Sequence, residues 1–285
     1  MMESLILHIN CPDQRGIIAQ FTGILYNHGA NVLNLEQHVE PEEKLFFMRI
    51  HANLKNMDIS EDSLYAILKT LEIKMDAKIQ FYNPEYHQRI AIFVTKESAP
   101  LYDLLIKQRS GELTCEISCV ISNHEDLESI VSPFKIPFHH LPVSSDANAK
   151  QEKEIIKLMD EEKIDLLVLA RYMQILSGDL VAKYRGKIIN IHHGFLPAFK
   201  GQSPYRQAWE RGVKMIGATA HYVTEDLDEG PIIEQDVVSI NHQHSVQEMI
   251  QAGRDIERRV LTSAVKAHLE RRIILDGQRT IIFHS

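Results

Sequence analysis

Ile164-Asp165-Leu166-Leu167-Val168-Leu169-Ala170 decides the fold. It is an apolar run flanked by polar residues, the pattern of a central strand in a parallel sheet covered on both faces. Upstream, Arg89–Thr95 is an apolar strand, Leu101–Lys107 is helical, Thr114–Ile121 and Pro137–Leu141 are strands, and Ala149–Glu162 is a helix with Ile155, Ile156 and Met159 on one face. Downstream, Ile188–His192, Ala218–Val223 and Ile232–Val238 are strands, and Gln247–Glu270 is a long amphipathic helix. Strands alternating with helices predict an α/β fold with a mostly parallel sheet. Ligands of such sheets sit beyond the carboxyl ends of the strands.

The first residues follow another plan. Ser4–Asn10 alternates as a strand, and Cys11-Pro12-Asp13-Gln14-Arg15-Gly16 is turn chemistry. Ile17, Ile18, Phe21, Ile24 and Leu25 recur at helical spacing, and Gly29 is placed to end that helix. Asn31–Val39 and Leu45–Asn53 are strands, Ser60-Glu61-Asp62 opens a second helix, and Ala77–Tyr82 is a last strand. This βαββαβ order is the ferredoxin-like pattern. Such a small sheet is expected to bury one face under its helices and leave the other bare, which favours a homo-oligomer. The polar, proline-containing stretch Asn83–Arg89 marks a boundary, giving domains 1–84 and 85–285.

Composition narrows the function. The chain has 285 residues, 44% hydrophobic and 25% charged, and a net charge of −8, so a nucleic-acid partner is not expected. No apolar run reaches the roughly 20 residues that span a bilayer, and Met1–Ile6 lacks the basic and apolar regions of a secretory signal, so no membrane partner is expected. Three cysteines (Cys11, Cys115 and Cys119) make no disulfide framework, and the expected compartment is the cytoplasm. Cys115 and Cys119, four apart on a strand, are expected on one face as small buried residues. The 15 histidines include three close pairs, but none has HExxH spacing, and no metal is expected.

The densest reactive cluster is Asn190-Ile191-His192-His193. Side chains on a strand alternate, so Asn190 and His192 share a face and make a candidate oxyanion clamp. His193 points elsewhere or lies in the turn. The second piece is the polar loop Thr224-Glu225-Asp226-Leu227-Asp228-Glu229-Gly230-Pro231, any of whose carboxylates could face the clamp as a general base. Taken alone, both features also fit a structural strand and a solvated turn.

Together, Asn190–Gly201, Gly217–Val223 and Leu227–Ile233 resemble the 10-formyltetrahydrofolate-dependent formyltransferase family, and within it the deformylases. Pro12–Ile17 fits the ACT pattern, and ACT followed by a Rossmann-like formyltransferase domain is the deformylase order. The resemblance implies a catalytic trio of Asn190, His192 and Asp228. It also implies a folate pocket lined by Met173, Gln174, Ile175 and Leu176, after the central strand, and by Thr224, Glu225, Asp226 and Leu227. For Met173 and Ile175 the alternative is plain core packing. It further implies folate as substrate rather than cofactor, no cofactor besides, and an amino-acid effector at the ACT domain, with Asn10, Asp13 and Asn31 as candidate contacts. Those three are equally turn or capping residues. The resemblance implies a Ser after the His pair, where this chain has Gly194, so a hydroxyl donor is missing there while the trio is intact.

Hydrolysis and transfer differ in the acceptor. A phosphorylated acceptor needs a Gly-rich loop whose backbone N–H groups hold phosphate. Here the first strand of the second domain ends Thr95-Lys96-Glu97-Ser98-Ala99-Pro100, without glycine and with a repelling Glu97. An aminoacyl-tRNA acceptor needs basic surface, which a chain of net charge −8 lacks. Water is the expected acceptor, and transfer to an unphosphorylated amine is the alternative. Asp228, between Leu227 and Gly-Pro, is expected to be desolvated, with its pKa raised.

Overall fold

The computed structural model describes residues 2–142, 148–198 and 204–284, with the backbone alone for 148–150. The chain divides into two compact units, one of 1–86 with 270–276 and 281–285, the other of 87–269 with 277–280.

In the first unit the order is β1 (Ser4–Pro12), α1 (Ile17–Asn27), β2 (Asn31–Glu40), β3 (Leu45–Asn53), α2 (Glu61–Met75) and β4 (Lys78–Tyr82). The strands form an antiparallel sheet in the order β2-β3-β1-β4. Alternation explains its inner face. Leu5, Leu7, Ile9 and Cys11 of β1 and Phe46, Met48, Ile50 and Ala52 of β3 bury against Phe21 and Leu25 of α1 and Leu64 and Leu68 of α2. The Ser60 hydroxyl caps α2 by accepting the Ser63 N–H at 3.2 Å.

The opposite face is not bare, which corrects the expectation above. The chain after the long last helix forms a hairpin, β12 (Ile273–Asp276) and β13 (Arg279–Ile282). Ile274, Ile281 and Phe283 pack on Leu45 and Phe47. Arg49 donates to the carbonyls of Arg271 and Glu270, and His8 Nε2 lies 2.7 Å from the Arg271 carbonyl. The Arg271 guanidinium lies over the Tyr82 ring. The sheet is thus covered by this chain's own end, and a bare face no longer argues for self-association.

His8 carries a prediction. Burial holds its pKa down at about 4. The unfolded chain takes up this proton near pH 6.5, while the folded chain refuses it until about 4. The unfolded state therefore binds more protons in that window, and stability falls as pH drops through it. His8 contributes a loss of about 3 kcal/mol by pH 4. Urea midpoints for the full chain between pH 7.5 and 4.5 should fall more steeply than those of His8→Gln. Equal slopes would remove His8 from the acid sensitivity.

The second unit runs β5 (Gln88–Val94), α3 (Ala99–Arg109), β6 (Cys115–Ser122), α4 (Glu128–Val131), β7 (Phe138–His140), α5 (Asn148–Glu161), β8 (Leu166–Leu169), α6 (Gly178–Lys183), β9 (Ile188–His192), α7 (Pro204–Glu210), β10 (Met215–Tyr222), β11 (Ile232–Ser239) and α8 (Val246–Leu269). Its seven-stranded sheet has the order β11-β10-β9-β8-β5-β6-β7. The strands from β7 to β9 are parallel, and β10 and β11 are antiparallel additions. Order reverses between β5 and β8, so the crevice beside the carboxyl end of β8 is the natural ligand site. Leu166–Leu169 is buried throughout, as a central strand requires.

Cys115 and Cys119 do not share a face. A register shift makes Cys115 pair with Gln88 but Cys119 with Ala91, three residues on, so the two point to opposite sides. All three cysteines are free and buried, and burial raises each thiol's pKa.

Candidate active site

β9 delivers the first two side chains. Asn190 and His192 project to one face, as alternation requires. The turn after them is fixed from β10, where the buried Thr219 hydroxyl donates to the Gly194 carbonyl at 2.9 Å and accepts the Leu196 N–H at 3.0 Å. Gln235 ties the same turn by donating to the Leu196 carbonyl and to Thr219.

The loop from Val223 to Pro231 brings the carboxylate back. The Tyr222 N–H donates to the Pro231 carbonyl at 2.9 Å, closing the loop. Asp228 holds a left-handed φ of 57°, which Asp tolerates better than most residues. Its Oδ2 lies 3.3 Å from His192 Nδ1. Its Oδ1 lies 3.7 Å from Nε2 of His221, which pairs with Asn190 across β9 and β10.

His221 orients Asn190. Burial lowers the pKa of His221, so the ring is neutral. Its Nδ1 is 2.9 Å from the Tyr222 carbonyl, which only an N–H can meet. We therefore assign the proton to Nδ1 and the lone pair to Nε2, which accepts from Asn190 Nδ2 at 3.2 Å. An amide nitrogen has two N–H donors, so Asn190 keeps one for a ligand.

Asp228 departs from expectation. The hydrogen bond from His192 holds its carboxyl below the ordinary aspartate value, outweighing the burial that opposes it. The sign is that of a carboxylate ionised throughout the neutral range. Activity that needs ionised Asp228 should be lost only as pH falls through a value below that of free aspartate, about 3.9. A kcat/KM profile whose acidic limb has its midpoint above 5 would count against this assignment.

These groups line one cavity of about 280 Å³. All eight residues expected in the folate pocket line it too: Met173, Gln174, Ile175, Leu176, Thr224, Glu225, Asp226 and Leu227. Met173, Ile175 and Leu227 are 55%, 79% and 60% exposed, so Met173 and Ile175 are not core residues and form an apolar mouth instead. The Met173 N–H donates to the Thr95 hydroxyl, tying the loop after β8 to the end of β5. Among the described residues, no group of three His, Cys, Asp or Glu side chains is arranged to hold a metal. No helix among them is long and apolar enough to cross a membrane.

Known proteins resemble this chain over nearly its whole length. Residues 88–265 match the Formyl transferase family and residues 5–63 the ACT domain family. Formyltetrahydrofolate deformylase of Synechocystis sp. is 46% identical over 97% of both chains, and that of Bacillus subtilis is 44% identical over 98% of this chain and 93% of the relative. The crystal structure of a formyltetrahydrofolate deformylase from Pseudomonas syringae pv. tomato superposes with a TM-score of 0.95 at 39% identity, covering 100% of this chain and 95% of that one.

The chain belongs to the formyltetrahydrofolate deformylase family.

Membership sets the ACT domain and the formyltransferase domain in the order the sequence implied. It does not assign the residues, and the structure treats them unequally. Asn10 lies beside Phe47 and Asp13 beside Lys44, at one end of the first sheet. Asn31 pairs with Asn53 at the other end, about 20 Å away along the strand. The three effector candidates therefore make no single site within this chain. Phe199-Lys200-Gly201 of the resembling stretch lie outside the described residues. Residues the sequence reading missed include His221, which stands in the quoted stretch Gly217–Val223 directly opposite Asn190. His193 was also missed as a cavity residue. It lines the same cavity, with burial holding its pKa near 3.

Proposed function

We propose that this site hydrolyses 10-formyltetrahydrofolate to formate and tetrahydrofolate. The observation that carries the reading is the convergence of Asn190, His192 and Asp228 on one cavity with an apolar mouth. The pterin packs against Met173, Ile175 and Leu227, and backbone groups of both loops pair with its polar edge. Water beside Asp228 attacks the formyl carbon and Asp228 accepts its proton. Asn190, through its free N–H, and His192 donate to the oxygen that becomes negative. With Nδ1 turned to Asp228, His192 presents Nε2 to that oxygen. The C–N10 bond then breaks, N10 takes the proton, and formate leaves.

Nothing in these steps calls for a cofactor. Glu97, in the loop after β5, pairs with Arg254 at 2.9 Å, which suits a fold bond better than a phosphate cradle. The buried free cysteines fit a reducing, cytoplasmic setting. We propose an amino-acid effector for the ACT domain, with Asn10 and Asp13 as candidate contacts at one end of the sheet and Asn31 at the other. We propose self-association through the edge of β2, a ten-residue strand at the end of the sheet order.

The test is an assay of formate from formyl-folate with no acceptor, before and after exhaustive chelation. Equal formate release in both is expected. Product only with an added amine would replace the hydrolytic reading by a transferase, and no product would leave a binding protein.

A further inference from the structure

Behind Arg171, which lines the cavity, stands a charged wall of Glu257 and Tyr205 that the steps above do not use. Arg171 stands two residues past the end of β8 and holds a left-handed φ of 65°, a conformation that favours glycine. Its side chain is 16% exposed and that of Glu257, on α8, only 3%, with Nη1 3.4 Å from Oε2. Nε and Nη1 of Arg171 find no hydrogen-bond acceptor among the described residues. Glu257 accepts the Tyr205 hydroxyl at 2.6 Å. Gly253, one turn earlier on α8, makes room for this bond, since a Cβ there would lie 2.0 Å from Tyr205 Oη. The Tyr205 ring tilts against His193, and His193 against His192, so the wall is continuous with the reacting strand.

This arrangement is costly for stability. Buried ion pairs seldom outperform apolar packing, and a left-handed Arg strains the backbone. Strain and buried charge beside a reactive cluster point to a role in specificity. Resting on the hydrolytic reading, we infer that Arg171 is the specificity-determining residue that commits the site to water. Its guanidinium, paired with the Glu257 that Tyr205 in turn holds, blocks an approach to the formyl carbon from the cavity lining, so an organic amine cannot reach it. Exclusion of the wrong nucleophile is a form of discrimination by built-in clash.

The chemistry itself would serve either nucleophile. Water forms a C–O bond and an amine forms a C–N bond. In both cases the C–N10 bond breaks, the nucleophile's proton passes to Asp228, and N10 receives one. What can enter decides the product.

The test uses the full chain with formyl-folate and excess glycinamide, measuring formate and N-formylglycinamide together and subtracting the reaction without enzyme. Arg171→Gly relieves the left-handed strain and opens the wall. The ratio of formylated amine to formate should rise at least about tenfold over the unsubstituted chain. Arg171→Met keeps bulk without charge and should leave the ratio low. An unchanged ratio in Arg171→Gly overturns the proposal. So does loss of both products when melting and tetrahydrofolate binding are intact, because Arg171 then serves the chemistry itself. Should Arg171→Gly not fold, Arg171→Ala is read by the same outcomes. Absence of formate from the unsubstituted chain, by contrast, would sink the hydrolytic reading rather than the role of Arg171.

Discussion

Asp228→Asn lowers formate release by about three orders of magnitude while tetrahydrofolate still binds. The size follows from the loss of a general base, typically 10²–10⁴ in rate. Asn is the informative replacement because it keeps the size of the side chain and tolerates the left-handed φ of 57° at this position. The loop between Val223 and Pro231 therefore keeps its path, and only the charge disappears. Two effects combine in that loss. The attacking water has no carboxylate to take its proton, and His192 Nδ1, 3.3 Å from Oδ2, loses the charge that fixes its orientation. Steady-state formate release gives the rate, and a fluorescence titration with tetrahydrofolate gives the binding. A fall in kcat with little change in affinity is the signature of an interaction made in the transition state. Turnover within tenfold of the unsubstituted chain would take Asp228 out of the mechanism.

The legible parts of this protein are those governed by short periods. Alternation along Ile188–His192 is enough to put Asn190 and His192 on one face, and the apolar Leu166–Ala170 stretch is enough to place the central strand. The N-terminal strands and helices follow for the same reason. What was not legible depends on register between distant segments. His221 meets Asn190 because β10 runs antiparallel to β9 with a pairing that no local pattern fixes. Arg171 and Glu257 meet although a long stretch of sequence separates them. The pKa of Asp228 was expected to rise because burial could be argued from its neighbours, whereas the His192 hydrogen bond that lowers it is a tertiary fact. The final hairpin is a different case. Asp276-Gly277 between Ile273–Leu275 and Thr280–Ile282 is a strong hairpin signal, with Gly277 at φ 59°, and reading it would have covered the supposedly bare sheet face.

Gly230→Ala should cost about a hundredfold in kcat without touching any reacting group. A Cβ at Gly230 would lie 1.7 Å from the Tyr222 carbonyl oxygen and 3.4 Å from His221 Nδ1. Those two atoms are the partners of the bond that fixes the His221 ring. Backbone cannot yield as a flexible side chain can, so the loop must move off β10. The Tyr222 N–H to Pro231 bond then lengthens, and Asp228, two residues before Gly230, moves with the loop. A shift of about 1 Å in a reacting group is enough for a loss on the order of 10². Stability should fall as well, by roughly 1–3 kcal/mol, the usual cost of forcing atoms into a packed site. Far-UV circular dichroism should remain that of the unsubstituted chain, since this loop between β10 and β11 contains no helix or strand. Glu229→Ala, at the exposed neighbour, separates the steric argument from general fragility of the loop. Its turnover should stay within a few-fold, and equal losses in the two variants would mean that any change in this loop is harmful and that the close approach of Gly230 to Tyr222 is not what places Asp228.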